Sequence, residues 1–372
     1  MTKDSSISNT ISNLRFPLTL GVVFIHFSMA DGFNYHGVVY GLENPSFFFF
    51  VVNLFSEVLS RVCVPLFFFI SGFLFFYNVN FSKEIYYKKL KSRARTLLLP
   101  FLLWNILAAI VILGKSILPF YPDVSIIFSL DRLWNTLFYN LDGNGIIVGP
   151  SYLVPSVASP LNIPLWFVRD LMVMALLSPI HYWMIKMTGI LYIVTLSVLW
   201  FTSSLFVSPK SYAGIIIIAS FFFSWGAYYS IKKDDFVLSF QKIRLAPLLY
   251  IIIAIADAST KTSGYNEYIH KTGILLGIIS FVAISSLLVL SNIKIGKSLT
   301  GSSFFIFALH TLFMGDVGKI VFRLCNMPGD NPWIMLIIYF MVPLFTVLTC
   351  YFLYMLLKTH TPKLCSMLVG DR

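Results

Sequence analysis

Long apolar runs alternate with short polar punctuation along the whole chain. A helix needs about 20 mostly apolar residues to cross a bilayer, and on that measure about ten segments qualify. The first covers residues 14–30 and is followed by a polar turn, 31–45, without Lys or Arg. The second, 46–77, is over-long and carries Asn53, Glu57 and Arg61, which predicts a tilted or partly interfacial stretch before Val64-Pro65. Further spans are expected at 96–118, 165–185, 190–207, 212–231, 245–256, 272–290, 299–324 and 333–357, the segment 245–256 being short on its own.

The polar punctuation gives these spans a direction. The densest basic cluster, Lys83, Lys88, Lys89, Lys91, Arg93 and Arg95, follows the second span, and Lys186, then Lys232, Lys233, Lys242 and Arg244, then Lys294 and Lys297, then Lys358, Lys363 and Arg372 recur on the same side. The positive-inside rule places them in the cytoplasm. The longest polar connection, 119–164, holds Asp123, Asp131 and Asp142 with several prolines and is expected to be an external loop covering a site. Both termini are then cytoplasmic, residues 1–13 forming a polar tail. The first apolar run lacks a small-residue cleavage site, so an uncleaved span is expected rather than a signal peptide. With no fixed-period repeat, the chain 1–372 reads as a single integral-membrane domain.

Composition sharpens this into a class. Of 372 residues, 58% are hydrophobic and 12% charged, against about 45–50% and about 25% in soluble domains; the mean hydropathy is +0.82. The expected fold is an all-α polytopic membrane helical bundle. The net charge of +11 sits in clusters that orient spans, which argues against a nucleic-acid partner. The four cysteines show no CxxC or Cys/His spacing and are expected to pack, without disulfide or metal.

Within the first span, Arg15 and His26 stand out against their apolar neighbours. Eleven residues are close to three helical turns, so both fall on one face, about 16 Å apart along the axis. Ionisable groups inside spans usually face a protein interior or wet cavity. An imidazole suits a general base; the alternative is a histidine bonded between helices. Arg15 reads equally as a ligand contact or as an anchor at the inner interface. Glu57 and Arg61, spaced i, i+4, are expected to pair, and His310 is a second imidazole in a span, either bonded between helices or chemical. Arg169 and Asp170 point about 100° apart on a helix, so separate partners are expected. Arg93 and Arg95 belong to a run able to hold the phosphates of an anionic substrate. His36, His181, His270 and His360 are given no role. There is no Gly-rich phosphate loop, GxSxG elbow or HExxH.

Five stretches together resemble the acyltransferase 3 family of membrane O-acyltransferases: Arg15-x10-His26; Val64-Pro65-Leu66-Phe67-Phe68-Phe69-Ile70-Ser71-Gly72-Phe73-Leu74; Leu97 to Asn105 after the basic run; Pro164-Leu165-Trp166-Phe167-Val168-Arg169-Asp170-Leu171; and Ser302 to His310. They occur in the family's order over nearly the whole chain. The resemblance implies about ten spans and transfer of an acyl group, commonly acetyl from acetyl-CoA, to a hydroxyl of a cell-surface polysaccharide or its lipid-linked precursor in the bacterial inner membrane. It places the functional Arg and His on Arg15 and His26. The family's Arg-x-x-Arg pattern after the second span does not overlay on Lys88, Lys91, Arg93 and Arg95. The short tail after Leu357 matches relatives without an added esterase-like domain.

The expected mechanism has acyl-CoA entering from the cytosol as co-substrate, with no resident cofactor. His26 would act as general base, or carry the acyl group in a covalent intermediate. Arg61, Arg169 or His310 would meet the oxyanion, while Arg93, Arg95, Trp166 and Asp170 complete the candidate substrate-binding residues. Expected partners are the acyl-CoA, the glycan or lipid-linked saccharide, the lipid bilayer and other envelope-polysaccharide assembly proteins. A transporter or flippase for a glycan or lipid-linked sugar, and a polysaccharide polymerase, are the competing classes.

Overall fold

The computed structural model describes residues 3–30, 32–35, 38–40, 45–117, 125–126, 147–148, 160–208, 211–325 and 331–371. Most of the predicted external loop 119–164 lies outside these residues. Among the described residues, seven helices are long and apolar enough to cross a membrane: α2 (Ser46–Phe76), α3 (Lys83–Lys115), α4 (Ile163–Thr188), α6 (Tyr212–Ile231), α9 (Asn266–Leu290), α10 (Lys297–Leu324) and α11 (Pro332–His360). Two apolar helices are shorter, α5 (Ile190–Leu205) and α8 (Ala246–Ser259). With α1 (Lys3–His26), α7 (Phe236–Gln241) and α12 (Pro362–Val369) they make an all-α, multi-pass integral membrane protein. Two small antiparallel ladders pair β1 (Phe33–Tyr35) with β2 (Val38–Tyr40) and β3 (Ser125–Ile126) with β4 (Ile147–Val148).

Two boundaries differ from the pattern reading. Helix α1 begins at Lys3, because Ile7, Ile11, Leu14 and Leu18 form a buried stripe at helical spacing inside the polar stretch. It ends at His26, so the imidazole caps the span rather than sitting midway along it. The basic cluster, likewise, is the first part of α3 and not a linker. Ser82 starts that helix by accepting the Ile85 N–H at 3.3 Å.

Proline sets the winding of α2 and α3. Proline has no N–H for the carbonyl four residues earlier, and its ring crowds that carbonyl. In α2 a π-helical segment, Asn53–Leu59, and a 3-10 turn, Ser60–Val62, precede Pro65. In α3 the π segment Ala94–Leu98 precedes Pro100. Glu57 and Arg61 lie in the rewound part of α2.

The helices divide into two compact units, Met1–Phe67 with Asp234–Leu356, and Phe68–Lys233 with Leu357–Arg372. In the first, α1 packs on α9 and α10. Asn13 fastens it to the connection before α10, donating to the Ile293 carbonyl (2.9 Å) and accepting the Ile295 N–H (3.0 Å). In the second, α2 and α6 approach through Gly72 and Gly226. A Cβ at either would strike the backbone carbonyl of Phe223 or Phe69 respectively, so only glycine permits this packing. The α12 helix is tied to α3 by Trp104 Nε1 donating to the Leu368 carbonyl, 2.9 Å.

Candidate active site

The first unit brings together His26, His310 and Arg61. The end of α1 is the organising point: its last carbonyls have no intrahelical N–H, and the Phe24 carbonyl accepts from Ser56 Oγ at 2.7 Å. Ser56 spends its single proton there, so the Tyr339 hydroxyl, 2.7 Å away, donates to Ser56. Ser56 and Tyr339 are fully buried. Phe24 stacks against Tyr339 with centroids 5.6 Å apart. This locks the last turn of α1 to α2 and α11.

His26 is half-buried, its ring 5.2 Å from that of His310 between centroids and tilted by 55°. His310 is fully buried and carries its Nδ1 2.9 Å from the Phe307 carbonyl and 3.1 Å from that of Ile306. The rewound part of α2 that carries Glu57 and Arg61 packs against α1. Arg61 pairs with Glu57 as the spacing predicts, Nη2 and Nε donating to one carboxylate oxygen at 2.7 and 3.0 Å. After the end of α1, the aromatic rings of Phe27, Phe33, Tyr40 and Phe322 meet in tilted contacts with centroids 4.8 to 6.2 Å apart. Arg15, about 16 Å back along α1, is exposed, and among the described residues it has no ion-pair partner.

A polar network not singled out in the sequence supports this cluster. Asp257 is fully buried and accepts from Lys261 Nζ at 2.7 Å, from Asn266 Nδ2 at 2.9 Å, and lies 2.8 Å from His270 Nδ1. Lys261 also donates to the Glu57 backbone carbonyl, 3.2 Å, within the π segment. The i, i+4 spacing of Asp257 and Lys261 was the available signal. His270, given no role from sequence, is part of this network.

The other candidates belong to the second unit. Arg169 and Asp170, expected to have separate partners, bind each other: Nε donates to Oδ1 at 2.8 Å and Nη2 to Oδ2 at 3.3 Å. The long arginine side chain curls back across the helical step, and both residues are buried, where an unpaired charge is costly. Arg169 also lies over the Tyr212 ring at 5.4 Å, and Trp166 is half-buried one turn before. Asn105 holds the approach to α4 by accepting the Asn162 N–H, 3.0 Å. Arg93 and Lys89 share the Phe75 ring, at 5.9 and 5.4 Å. Arg95 pairs with Asp371, 2.7 Å, at the exposed edge of α12. His181, also unassigned from sequence, is buried beside Ser224 (2.9 Å) and Tyr192 (3.0 Å).

A multi-pass bundle of apolar helices carrying two neighbouring imidazoles and a Glu–Arg pair is an integral membrane protein with ionisable groups among its helices. The chain belongs to the acyltransferase 3 family: the family's sequence model, described as Acyltransferase domain, matches residues 9–361. It is similar to the succinoglycan biosynthesis protein ExoH of Rhizobium meliloti (strain 1021), 26% identical over 384 residues, covering 99% of this chain and 94% of that protein. No solved structure matches the chain. It is thus a membrane acyltransferase.

Proposed function

We propose that the protein is an O-acyltransferase of a bacterial inner membrane that moves an acyl group, acetyl in the simplest case, from acyl-CoA to a hydroxyl of a surface polysaccharide or its lipid-linked precursor. The observation that carries this reading is the placement of half-buried His26 against His310 and beside the Glu57–Arg61 pair, in a chain of this family. The similarity to a protein named for succinoglycan biosynthesis supports a polysaccharide acceptor.

His26 removes the proton as the acceptor oxygen attacks the thioester carbon. The carbonyl becomes an oxyanion, which the Arg61 guanidinium stabilises. Collapse breaks the C–S bond, and the CoA thiolate takes the proton from the His26 imidazolium, leaving an ester and free CoA. Arg15, about three turns back along the same face of α1 toward the cytoplasmic end, receives the CoA phosphates as they arrive.

Membranes containing the protein are given acyl-labelled acetyl-CoA and a glycan fraction. Label is expected on the glycan as an ester released by mild base. Glycan crossing the membrane with no label transferred would replace this reading with transport.

A further inference from the structure

His310 is better defined than a spacing argument could make it. Carbonyl oxygens only accept, so the nitrogen facing Ile306 and Phe307 carries the hydrogen. That assigns the tautomer: Nε2 is the bare, lone-pair nitrogen. Among the described residues it is buried without a hydrogen-bond partner, an uncommon condition for a polar atom in a folded protein. The ring beside it is that of His26, and 5.2 Å between centroids is about what an N–H···N bond of roughly 2.9 Å spans when two imidazole nitrogens point at one another. The rings are tilted by 55°, and among the described residues no hydrogen bond joins His310 Nε2 to His26. Exposure separates the roles, since His26 is half-buried and His310 fully buried.

We propose that His310 is a positioning residue for His26: its Nε2 accepts the His26 N–H that faces away from the acceptor hydroxyl. This fixes which His26 nitrogen is bare and holds the imidazolium that forms when the hydroxyl proton arrives. The proposal rests on the acyltransferase reading of His26. One O–H bond breaks and one N–H bond forms on His26; His310 exchanges no proton and forms no covalent bond. Among the described residues, the other polar groups on the elements packed against α1 here are Arg61 and Glu57 from α2, Tyr339 from α11 bound to Ser56, and Lys261 from the α8–α9 connection, which donates to the Glu57 carbonyl and is paired with Asp257, itself beside His270. None of these hydrogen-bonds His310.

The test compares His310→Phe, His310→Asn and His310→Gln in the full chain, in membranes, with labelled acetyl-CoA and glycan, measuring kcat and KM between about pH 5 and 8. Phenylalanine fills the space without an acceptor and asparagine is too short; both are expected to lower kcat on the order of 100-fold, leave both KM values unchanged and shift the acid limb of the kcat profile. Glutamine, whose amide oxygen reaches further, is expected to restore part of the rate. If His310→Phe does not accumulate, the Asn and Gln pair decides. Wild-type kcat and acid limb in the variants, or a rise in acceptor KM alone, would overturn the proposal while leaving the role of His26 standing. An active wild type with a fully active His26→Ala, or no transfer by wild type, would remove the reading on which it rests.

Discussion

Lys261 donates to the backbone carbonyl of Glu57 across 3.2 Å while its charge is met by buried Asp257 at 2.7 Å. A winding change in α2 is thereby held from the connection between α8 and α9. The network has a measurable consequence. Breaking a buried ion pair from one side costs about 3 kcal/mol or more, so Asp257→Asn is expected to lower the thermal midpoint of the detergent-purified protein. The double variant Asp257→Leu with Lys261→Met should recover part of the loss. An unchanged midpoint in Asp257→Asn would mean that the network contributes no stability.

The lock between α1, α2 and α11 predicts an order. Tyr339→Phe removes one hydrogen bond, worth about 1 kcal/mol, whereas Ser56→Ala removes two and strands the buried Tyr339 hydroxyl at about 1–3 kcal/mol. Unfolding of the two single variants and the double should show Ser56→Ala as the more damaging, with the double little worse. Equal and additive losses would contradict the donor assignment.

His26→Ala is expected to reduce transfer by about 10²- to 10⁴-fold while membrane insertion and thermal midpoint stay at wild-type values. Label transfer and unfolding measured on the same preparation separate the two. A variant as active as wild type would remove His26 from the chemistry.

Arg15 sits too far along α1 to touch the reacting atoms at His26. Arg15→Gln should therefore raise the KM for acyl-CoA about tenfold, equivalent to about 1.4 kcal/mol, with kcat within a factor of two or so. A fall in kcat at unchanged KM would place Arg15 in the chemical step instead.

Asp371 lies outside the spans, and its carboxyl is held below the ordinary carboxylate range, first by a hydrogen bond from Ser366 and then by Arg95. The depressed value means the attachment is complete above the ordinary aspartate pKa of about 3.9 and is lost as pH falls through the lower folded value. Amide exchange in α12 should accelerate only below about pH 4 in wild type, and Asp371→Asn should abolish that pH dependence. Acid-sensitive exchange of equal size in the variant would assign the effect to another group.

Much of the chain was legible because its signals are local. The predicted spans fall on helices, seven of which among the described residues are long and apolar enough to cross a membrane, since hydropathy over about 20 residues decides membrane compatibility. The Glu57–Arg61 pair followed from spacing alone. The start of α1 was misplaced because a 20-residue hydropathy window averages away the stripe of Ile7 and Ile11, which shows only at helical period. Arg169 and Asp170 escaped because direction on a helix says nothing of how far an arginine bends back to avoid a bare buried charge.

The sequence by itself determined that the chain is a bundle of apolar helices and which few ionisable groups fall within apolar runs. Only the tertiary structure decided that His26 meets His310, that Lys261 supports Glu57, and that Ser56 closes the end of α1. The physical reason is one of range. Helix formation is set by neighbours within a turn or two, whereas the pairing of residues hundreds of positions apart is fixed by how whole helix faces pack, a property no single stretch of chain contains.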